Sequence, residues 1–144
     1  MGTISRNFSY KEFERSDTAK RYGISNVIDS DEVREAIKEL TMTVLQPLRD
    51  STGAPMYIRS GYRCPELNAL IPGSSSRSQH QKGEAADIKD LFRSSLWLAR
   101  KIVFLDLPYD QLILYPTFVH VSHKKGGPQR GQILYSSSYH GAKI

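Results

Sequence analysis

A single cysteine, Cys64, stands among the 144 residues. It excludes an internal disulfide and a Cys-x-x-Cys zinc site, so stability must come from packing, and any bound metal must be held by histidine and carboxylate. No apolar run approaches the roughly 18–20 residues that a membrane-spanning helix needs. Internal repeats and low-complexity tracts are missing too. The opening stretch, MGTISRNFSYKEF, lacks the apolar centre of a secretory signal, so no signal peptide is expected. Basic residues outnumber acidic ones by 20 to 15, a formal net charge of +5. That excess suits an anionic partner, either nucleic acid or an acidic polymer such as a bacterial cell wall. Yet the cations are scattered, densest only at Lys124-Lys125 and Arg59/Arg63, with no helix-turn-helix or arginine-rich signature. Specific nucleic-acid binding is not expected.

The chain length suits one domain, residues 1–144, with 136–144 as a flexible tail. Ser9 is placed to cap a short helix over Tyr10–Arg15, followed by a second turn over Asp17–Arg21. Ser30 or Asp31 starts a longer helix, where Val33, Ile37, Leu40, Val44 and Leu48 recur at spacings of three and four. Pro47 should kink or end that run, and Asp50-Ser51-Thr52-Gly53 stops it. Met56–Ser60 reads as a strand, and Pro65 as the first residue of a short helix to Leu70. Ala85–Ile88 reads as another strand. Leu91, Leu98, Ile102 and Leu105 mark an amphipathic helix ended by Pro108. Gln111–Tyr115, Thr117–His123 and Gln132–Ser136 follow as strands. Helices first and strands mostly later predict an α+β fold, a small antiparallel sheet flanked by helices.

The polar stretch Ser78–Asp87, SQHQKGEAAD, holds one of only four histidines. Along FVHVSH, side chains alternate faces, so Val119, Val121 and His123 share one side and His120 the other. With the valines in the core, His120 stands on the open face of the sheet. A zinc site needs about three protein ligands with a fourth position for water. His80, Asp87 and His120 would supply them, with Gly83 turning the chain between the first two and Ala85 and Ala86 allowing close strand packing. His123 has the wrong parity to join them and is expected at a rim, at the surface or behind the ligands.

Several motifs occur together and in order: Ser60-Gly61-Tyr62-Arg63, Pro65-Glu66-Leu67-Asn68, Ser78/His80/Gly83/Ala85/Asp87, and Val119-His120-Val121-Ser122. In this the chain resembles the zinc D-Ala-D-Ala carboxypeptidase superfamily, which shares its fold with the hedgehog signalling domain, and above all its small bacteriophage and prophage branch. The likeness extends to the lead-in FSYKEFERSDTAKRYGISN and to Tyr109–Ile113. It implies that His80, Asp87 and His120 bind Zn2+, that Arg63 binds or polarises a substrate carboxylate or carbonyl, and that Ser78 hydrogen-bonds substrate or a ligand. The implied reaction is hydrolysis of an amide in a peptidoglycan stem peptide, by carboxypeptidase or endopeptidase action. The wall would be reached on lysis of the host cell or from a phage particle.

One departure stands out. Superfamily enzymes place an acid a few residues before the last histidine, to move protons between water and the leaving amine. Here that stretch is Leu114-Tyr115-Pro116-Thr117-Phe118-Val119. Asp110 is the first candidate for the base, with Tyr115 as proton donor or carbonyl stabiliser. Two rivals follow from the missing acid: a zinc-bearing domain that binds without cutting, and a phage structural component with a vestigial site. Arg59 is expected as a solvated strand residue, Asn68 as a loop anchor or surface group, and Trp97 at the edge of the core or lining a rim.

Overall fold

The computed structural model describes residues 2–144. It opens with two short strands, β1 (Thr3–Ser5) and β2 (Phe8–Ser9), which pair antiparallel. Two small helices follow, α1 (Tyr10–Glu14) and α2 (Asp17–Tyr22). Ser9 caps α1 through a capping box with Glu12, and the Ser16 side chain accepts from Ala19 N–H to start α2. The strand pair has no counterpart in the sequence pattern, because runs of two and three residues carry no periodicity to read.

The predicted amphipathic helix is α3 (Asp31–Leu40), capped by Ser30. It passes without a break through a π-helical turn, Thr41–Leu45, into α4 (Gln46–Thr52). Pro47 therefore does not end the run. In the wide turn before it, Gln46 N–H reaches back five residues to the Thr41 carbonyl, and Pro47 falls in the first turn of α4, where a missing N–H costs least. Ile37, Leu40, Val44 and Leu48 are fully buried, so the stripe faces the core as its spacing demanded.

Five strands form the main sheet: β3 (Met56–Ser60), β4 (Ala85–Asp90), β5 (Gln111–Leu114), β6 (Val119–Ser122) and β7 (Gln132–Tyr135). Their order is β3-β4-β6-β5-β7, antiparallel throughout except that β7 lies parallel to β5 at the edge. The fold is thus α+β with a mixed sheet. Between β3 and β4 come α5 (Pro65–Leu70) and a 3₁₀ turn, Gln79–Lys82. The last helix, α6 (Ser95–Phe104), is capped by Ser94, so Leu91 lies outside it and is exposed. Asp90 takes up that junction, accepting from the N–H groups of Phe92 and Arg93.

One face of the sheet is buried against helices. Ile58, Ala86, Ile88, Leu112, Leu114, Val119 and Val121 pack there with Leu98, Ile102 and the α3 stripe. Residues 136–144, expected to fray, fold back instead: Tyr139 packs on Tyr135, Ile144 N–H donates to the Tyr135 hydroxyl, and Arg100 holds the Lys143 carbonyl. His123 follows its parity into the interior. Its ring lies 2.6 Å from both the Pro108 carbonyl oxygen and Glu39 Oε2, tying the end of β6 to α3. It is neither at a rim nor at the surface.

Candidate metal centre

The other face of the sheet carries the chemistry. In the β4–β6 ladder Asp87 pairs directly with His120. Residues opposite one another across an antiparallel pair project their side chains to the same side, about 5 Å apart at Cβ. Two donors therefore meet without any loop having to place them. Strand packing is close there because Ala85 and Ala86 are small and fully buried.

His80 comes from the 3₁₀ turn, whose N-cap is Ser78; the Ser78 hydroxyl accepts the His80 N–H. The turn ends at Gly83, with φ of +75°, and the chain reverses there into β4. No side chain fits at that position: a Cβ would come 2.7 Å from the Val33 carbonyl oxygen on α3. Gly61, just after β3, is equally tight, since its Cβ would sit 2.8 Å from Phe13 Cα. Its carbonyl accepts from His80 Nδ1 at 2.7 Å. That bond places the proton on Nδ1 and leaves the Nε2 lone pair facing the centre.

Asp87 Oδ1 lies 3.0 Å from His120 Nδ1 and 3.3 Å from His80 Nε2. One ligand atom from each of the three residues falls within 4.8 Å of the other two. His80 and Asp87 are buried and His120 is partly open to the cleft. Burial favours the neutral, ligating form of His80 and pulls its pKa down against the pull of Asp87. Burial opposes charge on Asp87 too, but the His120 and His80 rings beside it outweigh that and hold the carboxyl well below its usual range. Two imidazoles and one anionic carboxylate converging from three segments fit a tetrahedral divalent ion with an open position.

Arg63 stands beside the carboxylate, Nη2 3.6 Å from Asp87 Oδ2. Its guanidinium is fixed by bonds from Nε to Ser60 Oγ and from Nη1 to Asn68 Oδ1. Asn68 is itself buried and donates to the Ser75 carbonyl, so it anchors both the arginine and the loop before His80. Tyr115 also faces the centre. Burial raises its pKa first and the nearby Asp87 charge second, so the phenol keeps its proton. Phe118 stacks on the Tyr115 ring at 4.4 Å, and the Arg59 guanidinium lies 4.5 Å over Phe118. Arg59 is thus part of a wall and not merely solvated. Trp97 sits away from the site, with Arg93 over its ring.

Asp110 is not brought to this centre. It is buried, and Arg130 binds it through Nε, Nη2 and the backbone N–H, while Gln79 Nε2 donates to Oδ2. The Arg130 bonds, more than any other influence, hold its pKa down. The triad forms the floor of a cleft of about 760 Å³ whose walls include Arg63, Ser78, Tyr115, Phe118 and Arg130. Among the described residues, the carboxylates on those walls are Asp17 and Asp87.

The Peptidase M15 family model matches residues 6–122, from the turn before β2 through the end of β6. The chain belongs to the Peptidase M15 family. No curated protein matches it. M15 peptidases are zinc-dependent, and the His80, Asp87 and His120 cluster is the group of donors among the described residues that could hold the ion. Family membership implies a peptidase acting on a peptide substrate. No described helix is long and apolar enough to cross a membrane. Sequence reading missed the Arg59–Phe118–Tyr115 stack and the Arg130 wall. The aromatic pair flanking Pro116-Thr117 was a visible signal for the first; nothing local announces the second.

Proposed function

We propose that this chain is a zinc-dependent hydrolase that cuts an amide bond in bacterial cell-wall stem peptides. One observation carries the reading: three metal-type donors converge at the bottom of a cleft large enough for several residues of peptide. His80, Asp87 and His120 would hold the ion. Zinc in such a site supplies Lewis acidity toward the scissile carbonyl and a nucleophile from water at neutral pH. Arg63, locked by Ser60 and Asn68, orients a substrate carbonyl or carboxylate next to the ion; a fixed guanidinium does this with little reorganisation. Ser78 is available to substrate at the cleft wall. Tyr115, protonated and held flat by Phe118, donates a hydrogen bond to the developing oxyanion or a proton to the leaving amine. Asp110, with both oxygens committed, orients Arg130 and does not serve as base.

A second reading keeps one observation in its favour. With Asp110 engaged elsewhere, the cleft offers no carboxylate beyond Asp17 and the ligand Asp87 among the described residues, which suits a zinc-bearing domain that binds wall peptides without cutting them. A digest of purified muropeptides separates the two. Wild type should release fragments in a zinc-dependent way and His120→Ala should not, whereas Asp110→Asn should keep most of its activity. No release by zinc-loaded wild type would leave the binding role.

A further inference from the structure

A smaller pocket of about 230 Å³ opens beside the metal cleft. The two share Arg77, Gln79 and Arg130 in their walls. Four cations, Arg77, Lys82, Lys124 and Arg130, surround the smaller one together with two carboxylates, Glu84 and Asp110. Both carboxylates are already taken by protein donors. Glu84 accepts from Gln79 Nε2 and from the Lys125 N–H, and Asp110 from Arg130 and Gln79. Four cations against two carboxylates still leave the annex with a formal excess of positive charge.

Arg130 is also aimed. Its Nε and Nη2 bind the buried Asp110 side-on, at 3.1 and 2.7 Å to the nearer oxygens, and its own N–H donates to Oδ1 at 2.8 Å. A guanidinium has five N–H donors, and side-on pairing leaves the end-on fork of Nη1 and Nη2 unused. That side chain is 56% exposed and lines both the cleft and the annex, so a ligand in either can reach it. A planar fork held in place matches a carboxylate with two parallel hydrogen bonds.

The geometry points to a second carboxylate site. The annex takes a carboxylate of an acidic peptide whose scissile amide lies over the triad, and Arg130 is the specificity-determining residue, with Arg77 beside it. This deepens the hydrolase reading and rests on it for the placement of the amide. Lys124 and Arg130 lie beyond residue 122, where the family match ends, so this chain's own loop before β7 supplies half of the annex cations.

Calorimetric titration of the zinc-loaded full chain tests the assignment. The probes are two acetylated stem pentapeptides that differ at one carboxyl, the α-carboxyl of a γ-linked glutamate, free in one and amidated in the other. Wild type should bind the free acid about tenfold more tightly, the value of one charge-assisted hydrogen-bond pair. Arg130→Gln should bring the two affinities together. Arg77→Gln, which leaves the Arg130–Asp110 pair intact, should narrow the ratio without lowering the melting temperature. Equal affinities in wild type, or a ratio that survives both substitutions, would overturn the site. So would inorganic phosphate displacing the free acid more strongly than the peptide binds, since a phosphate ligand would then be the better fit. Hydrolysis of the same peptides is scored separately. Discrimination without turnover sinks the hydrolase reading alone, and turnover without discrimination sinks this one alone.

Discussion

Each ligand of the candidate centre is held by a neighbour with its own reason to be there. His80 has one ring nitrogen committed to the Gly61 carbonyl, and Asp87 and His120 face each other because the strand register requires it. Replacement of a ligand should therefore empty the site without unfolding the chain. His120→Ala and Asp87→Asn should each lose stoichiometric zinc by metal analysis. Adding chelator should lower the melting temperature of wild type and leave His120→Ala unmoved. At zinc a hundredfold above its dissociation constant the ion is worth about 2.7 kcal/mol of stability, which sets the size of the shift. Tyr115→Phe makes the opposite pattern. The ring still stacks on Phe118, so zinc content and melting temperature should hold while kcat falls by about a hundredfold. Unchanged kcat would reduce Tyr115 to packing.

At the scale of elements, the site depends on how closely the 3₁₀ turn can approach α3. Gly83 has both a positive φ and no room, with the Val33 carbonyl and the Ile37 side chain within 3 Å of any added Cβ. Gly83→Ala should cost on the order of 3 kcal/mol in urea unfolding and displace His80, weakening zinc binding in step. A substitution that lowers stability but leaves zinc affinity intact would separate the turn from the ligand it carries. This is also where the sequence is most and least readable. The α3 stripe of Val33, Ile37 and Leu40 and the serine caps at Ser9 and Ser30 are local signals, and they place those helices within a residue or two. The face of His120 follows from alternation alone. Other features need partners distant in sequence: the Asp87–His120 pairing, the parallel docking of β7 on β5, and the return of Tyr139 and Ile144 to the core. Leu91 misleads because it keeps helical spacing with Leu98 while Ser94 caps the helix after it. The motif residues deliver the candidate triad. They say nothing of the annex, whose key contact joins Asp110 to Arg130 across twenty positions.

Across the whole molecule, charged pairs fasten the sheet's far edge to its centre. Asp110 sits where β5 begins, next to the end of β6, and its Arg130 bonds anchor the loop that leads into β7. The same carboxylate reaches Gln79 beside His80, so one buried anion ties three segments together. Asp90 does a similar service at the other end, bridging β4 to the start of α6 through Arg93. Both carboxyls have pKa values below the ordinary range: hydrogen bonds from Arg130 lower Asp110, and bonds from Phe92 and Arg93 outweigh burial to lower Asp90. A carboxyl whose folded pKa is depressed binds protons more readily when unfolded. Its contribution is then complete above the unfolded value of about 4 and is lost as pH falls through the lower folded value. The share of stability that these two carboxyls supply should accordingly be flat near neutrality and fall below about pH 4. Asp110→Asn should cost about 2 kcal/mol at neutral pH, a charge-assisted pair exchanged for a neutral one. That deficit should shrink as the solution is acidified and vanish once wild-type Asp110 is itself protonated. Urea unfolding of both proteins between neutral and strongly acidic pH measures this. A deficit that stayed constant across the range would mean that the introduced amide disturbs packing, and that the anion does not hold the β7 edge in place.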